Sequence, residues 1–133
     1  MSGEINLTEL IKSLSAVLVD GLFVFATIKG TKIPANLVPR MMFQEAEGTT
    51  LILLKSEAEE FNLPYEFPCR MITLNIHSSL EAVGFMAKIA TELAKHDMGV
   101  NPVSGFYHDH LFVPDGRQND AMNILKKMAD NSA

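Results

Sequence analysis

The chain has 133 residues, 47% of them hydrophobic and 20% charged, with a net charge of −5. That is enough apolar matter for one domain or two very small ones, and too little charge for a disordered chain. The acidic balance is spread along the sequence, so no basic patch points to nucleic acid. No apolar run approaches the length of a membrane span. The polar, acid-bearing start is unlike a signal peptide. Cys69 is the lone cysteine, which leaves no internal disulfide and no cysteine-based zinc site. A cytoplasmic setting is the expectation that remains.

In chain order, Asn6 and Glu9 form a helix-start pattern, and Leu7, Leu10, Ile11 and Leu14 follow as one apolar stripe. Residues 15–20 leave that helix. Residues 21–28 are β-branched and aromatic without alternation, which predicts a strand buried on both faces. Gly30 and Pro34 punctuate a loop. Residues 41–45 and 49–54 flank Ala46-Glu47-Gly48 as a hairpin. Ser56 is expected to cap a short helix over residues 57–61. Residues 62–70 hold two prolines and no periodicity, and read as the boundary between an N-terminal half, 1–65, and a C-terminal half, 66–133.

The second half opens on an alternating strand, with Ile72, Leu74 and Ile76 on one face and Thr73, Asn75 and His77 on the other. Ser78 and Glu81 form a capping box, predicting a helix from there to about residue 95 with Leu80, Val83, Ala87, Ala90 and Leu93 or Ala94 on its core face. A strand follows over residues 100–107, where Pro102 argues for a sheet edge or bulge. His108-Asp109 is the expected hairpin tip. A return strand, a Pro114-Asp115-Gly116 turn and a final helix with Ala121, Ile124, Leu125 and Met128 as its stripe complete the chain.

The second half is thus β-α-β-β-α, one strand short of the two-layer βαββαβ arrangement. The apolar strand 22–28 is the expected donor of the missing strand, so the halves are expected to interlock.

These residues also carry a resemblance. The run from Ile72 to Gly84, ITLNIHSSLEAVG, and the run from Asn101 to Pro114, NPVSGFYHDHLFVP, closely resemble a family of small bacterial ACT-domain proteins. DGLFVF from Asp20 and EAEGTT from Glu45 extend the likeness over nearly the whole chain. The resemblance implies an α+β, ferredoxin-like fold in two intertwined ACT-like halves. It implies binding of an amino acid or another small effector, often at a domain or subunit interface, in a regulatory and non-enzymatic role. A homodimer and a regulated protein partner belong to the same expectation. No attached catalytic domain is expected beside the halves. A ligand-free dimerisation or interaction module is the alternative.

The candidate site is the turn His77-Ser78-Ser79-Leu80. Free N–H groups at a helix start beside a positive dipole end suit a carboxylate. The resemblance puts ligand contacts on Ser78, Ser79 and Leu80, with Gly84 a turn later; plain capping by Ser78 is compatible with this. Asn101 and Pro102 are expected at the same end, with the first and third strands taken as parallel neighbours. On that orientation the His108-Asp109-His110 turn lies about 20 Å from His77, a strand's length away. No metal site and no cofactor is therefore expected, and the turn is read as architecture. Glu45 and Glu47 read as exposed strand acids, or as partners for a basic effector. Cys69 reads as a structural thiol.

Overall fold

Asn6 opens the first helix as expected. Its side-chain oxygen accepts from the Glu9 N–H at 3.0 Å, which satisfies one free donor of α1, Leu7–Lys12. The computed structural model describes residues 6–76 and 80–131. They fall into two compact units, one formed by the residues up to Asp20 together with those from Arg70 on, the other by Gly21–Cys69.

In the first unit, α1 is followed by a strand the sequence did not reveal, β1, Ala16–Leu18. Three residues are too few to display a period. The Gly21–Cys69 unit contains β2 (Phe23–Ile28), β3 (Met41–Gln44), β4 (Thr49–Leu54) and α2 (Lys55–Glu60). One ten-residue strand, β5 (Tyr65–Leu74), passes from this unit into the other. Then come α3 (Phe85–Ala94), β6 (Asn101–Ser104), β7 (Asp109–Pro114) and α4 (Gln118–Asp130).

Residues 62–70 are therefore not a loop-like linker. Pro64 stands just before β5. Pro68 is tolerated because it follows a bulge: Phe67 has φ 59°, and the β2–β5 register shifts between Phe23 and Phe25.

Within Gly21–Cys69 the strand order is β3-β4-β2-β5. β3 and β4 form the expected hairpin, with Gln44 paired to Thr49. β4 pairs antiparallel with β2, Leu54 opposite Phe23 and Thr49 opposite Ile28. Val24, Ala26, Leu51, Leu53 and Ala58 form this unit's core. Helix α2 starts two residues earlier than expected, at Lys55. Leu54 is its N-cap, without a side-chain bond, so Ser56 lies inside the helix instead of capping it.

In the other unit the order is β1-β5-β7-β6. β1 runs antiparallel to β5, Ala16 opposite Leu74 and Leu18 opposite Ile72. The strand that completes this sheet is β1, not residues 22–28; β2 meets β5 only over its first half. Ile72 and Leu74 of β5 and Leu111 and Val113 of β7 point to the same side, where α1, α3 and α4 cover them with Leu10, Ile11, Ile89, Leu93 and Leu125. This is the two-layer α+β arrangement expected. The α4 stripe is Ala121, Ile124, Leu125 and Met128, as the sequence indicates.

Helix α3 departs from the sequence reading. It starts at Phe85, behind Gly84 at φ 87°. A left-handed residue cannot lie inside a right-handed helix, so residues 80–84 form turns and the capping-box signal is overridden. The buried face becomes Phe85, Ile89 and Leu93. Leu80, Val83, Ala87 and Ala94 are exposed and Ala90 is half-buried.

Candidate ligand-binding site

Strand β5 delivers its buried residues Ile72 and Leu74 to the core, and the chain then turns toward α3. His77, Ser78 and Ser79 lie outside the described residues. Leu80 is exposed in a turn, and Gly84 ends that turn at the amino end of α3. The N-cap of α3, Gly84, has no side chain to offer a capping bond, and the first turn of the helix holds no acidic residue. Its N–H groups are donors at a positive dipole end.

The orientation of β7 decides what faces this turn. Arg70 lies 3.9 Å from Asp115, while Thr73 Oγ1 lies 3.0 Å from His110 Nδ1. Residue numbers rise along β5 as they fall along β7, so these neighbours are antiparallel. β6 pairs antiparallel with β7, Asn101 opposite Phe112 and Ser104 opposite Asp109. The β6–β7 turn therefore stands at the end where β5 finishes, and Asn101 and Pro102 stand at the other. This reverses the expected placement. A strand–helix–strand crossover leaves β5 and β6 parallel, and β7 inserts between them antiparallel to both.

The consequence is a cleft of about 100 Å³. Leu80, Ala82, Phe85 and Met86 form one wall, and Ser104, Gly105 and Asp109 form the other. Asp109 is buried, 8% exposed, and its Oδ1 accepts from the Ser104 hydroxyl at 2.5 Å. The hairpin tip is two residues earlier than expected: Gly105 N–H donates to His108 O at 2.8 Å, leaving Phe106 and Tyr107 outermost, edge to face at 5.0 Å. Asp109 is thus a strand residue at the cleft and not a turn residue.

The structure brings Leu80 and the amino end of α3 together with Asp109. It does not bring Asn101 or Pro102 to them. Ser104 and Gly105 escaped the sequence reading, and Asp109 was read as a hairpin-tip residue; the crossover rule for strand–helix–strand connections was the signal that could have placed them at this cleft. The assumed 20 Å separation rested on the reversed strand. His108 and His110 have ring centroids 6.5 Å apart. Among the described residues no group of three or more His, Cys, Asp or Glu side chains could hold a metal ion. Glu45 accepts a bond from the Thr50 hydroxyl within the β3–β4 hairpin. Cys69 is buried, its thiol directed at Phe23 O at 3.4 Å.

Known proteins supply the remaining comparison. The family model for the ACT domain matches residues 2–70, and a second ACT-domain model matches residues 66–127. A crystal structure of a Vibrio cholerae protein of unknown function, described as a possible transport protein, is similar at 37% identity and a TM-score of 0.83, covering 92% of this chain and 95% of that one. An Agrobacterium tumefaciens protein is similar at 15% identity and a TM-score of 0.74, over 87% and 89% of the two chains. The regulatory subunit of aspartate kinase from Thermus flavus shares the fold at 10% identity and a TM-score of 0.64, over 85% of this chain and 95% of that one. No curated protein matches the chain.

Proposed function

Because this chain belongs to the ACT-domain family, we propose that it is a regulatory module that binds an amino acid and acts through binding rather than catalysis. The ligand lies at the turn between β5 and α3, where His77, Ser78, Ser79, Leu80 and Gly84 are the candidate contacts. The observation that carries this reading is the pairing of opposite poles across the cleft. The N–H groups at the start of α3, behind an N-cap that has no side chain, stand on one wall, and the buried Asp109 carboxylate stands on the other. An α-amino acid has a matching pair of charges. Its carboxylate suits the helix start. Its ammonium suits Asp109, whose oxygens can accept further bonds beside that from Ser104. Asn101 and Pro102, at the far end of β6, are not among the described residues that line this cleft.

The test is a thermal-shift screen of the amino acids on the full chain, followed by calorimetry. A binding amino acid raises the melting temperature as its concentration passes the dissociation constant. Asp109→Asn removes that response. Silence from every amino acid at millimolar concentration rejects the reading.

A second reading is favoured by the outermost residues of the same end. Phe106 and Tyr107 are 63% and 66% exposed at the hairpin tip. Exposed aromatic side chains suit a protein interface, in which case the chain is an interaction module, as a homodimer or with another protein, and needs no ligand. Light scattering on Phe106→Ser separates the two: loss of an oligomer with no amino-acid response favours the interaction module.

A further inference from the structure

Away from the cleft, helices α3 and α4 run side by side in opposite directions. Arg117, which opens α4, donates to the carbonyl oxygen of His96 just past the end of α3 at 3.1 Å. Between the two helices lies a groove of about 670 Å³, a size typical of small-molecule sites. Its floor is apolar, built from Ile11, Ile124 and Met128.

The charges along this groove are not evenly matched. At one end Arg117 pairs with Asp120 at 3.0 Å, and Glu92 pairs with Lys95 at 2.8 Å. At the other end Lys88 and Lys127 line the groove, and neither forms a salt bridge among the described residues. Lys127 sits in the last turn of α4, where a cation complements the helix dipole. Lys88 has no such reason. Its N–H makes the first-turn bond of α3 to Gly84 O at 3.0 Å, so its ammonium adds to the positive end of that helix. Lys88 reaches Glu92 only as a lesser, longer-range charge. An acidic chain thus holds two cations together over an apolar floor.

We infer that this groove binds a small organic anion with an apolar body, its anionic head between Lys88 and Lys127 and its body along Ile124 and Met128. The site is separate from the cleft at Asp109 and does not depend on it.

The probes are octanoate, 1-octanol and inorganic phosphate, followed by amide shifts of the isotope-labelled full chain. Octanoate is expected to shift α3 and α4, and to bind at least about tenfold tighter than either control. The exposed double variant Lys88→Gln/Lys127→Gln is expected to weaken octanoate by about tenfold or more, and added salt to weaken it further. Asp109→Asn is expected to leave octanoate binding intact, even where it abolishes the amino-acid response. Equal binding of octanol, insensitivity to the double variant, loss of octanoate binding in Asp109→Asn, or no octanoate binding at millimolar concentration overturns the inference.

Discussion

Thr73 on β5 and His110 on β7 meet at 3.0 Å between Oγ1 and Nδ1. With the Arg70–Asp115 contact, this fixes β7 antiparallel to β5 and brings the Ser104–Asp109 end of the hairpin to the start of α3. The cleft follows from that orientation. Asp109 is therefore the first residue to test. Asp109→Asn keeps an oxygen for the Ser104 hydroxyl but loses the charge. Amino-acid affinity should fall by at least about tenfold, near 1.4 kcal/mol, while the urea midpoint moves little. Calorimetry and denaturation on the same samples check both outcomes.

Gly84 sets where α3 begins. At φ 87° a side chain is strained whatever space surrounds it, and among the described residues a Cβ there would meet Leu7 Cδ2 at an ordinary 3.6 Å. Gly84→Ala should therefore cost about 1–2 kcal/mol through backbone conformation alone. Urea unfolding should show a lower midpoint at unchanged slope.

The register of α3 is tested by a contrast. Leu93 is fully buried while Val83 is 85% exposed, although the sequence pattern puts both on the core face. Leu93→Ala should cost about 2–5 kcal/mol by opening a cavity. Val83→Ala should stay within about 0.5 kcal/mol. Equal losses from the two would restore the helix start at Ser78.

The exposed pair Lys55 and Glu59, 3.0 Å apart, gives a pH signature. The hydrogen bond from Lys55, helped by that from the Tyr65 hydroxyl, holds the Glu59 carboxyl below its ordinary range. Its stabilising contribution is present above the unfolded carboxylate value and is lost as pH falls through the lower folded value. Glu59 likewise raises the Lys55 ammonium. That contribution is complete below the ordinary lysine value and is lost as pH rises through the raised one. Carboxyl NMR should show Lys55→Gln returning Glu59 toward its ordinary range, with the difference shrinking in salt.

The periods of α4 and β5 were readable, whereas the stripe read for α3 was not the one buried. Ala121, Ile124, Leu125 and Met128 named the buried face of α4, and Ile72 and Leu74 named that of β5. Three kinds of feature escaped. β1 is too short for a pattern. The prolines of residues 62–70 masked a strand because a bulge at Phe67 absorbs Pro68. The Ser78–Glu81 capping pattern is local, whereas the helix start is set by Gly84. Ser78 and Ser79 lie outside the described residues, so of the expected turn only Leu80 is placed, at the cleft; the opposite wall of Ser104, Gly105 and Asp109 was not legible. That wall depends on strand direction, which no single residue encodes.

One unit is contiguous, Gly21–Cys69, and the other joins the residues up to Asp20 with those from Arg70 on. This sets an order of events during synthesis. At about 5–20 residues per second, the ribosome releases α1 and β1 seconds before their partners exist. Leu10 and Ile11 must wait, unburied, for Ile72, Leu93 and Leu125, while every residue of Gly21–Cys69 emerges in a single stretch. The contiguous unit can collapse first, and the segment made just before it finds its place later.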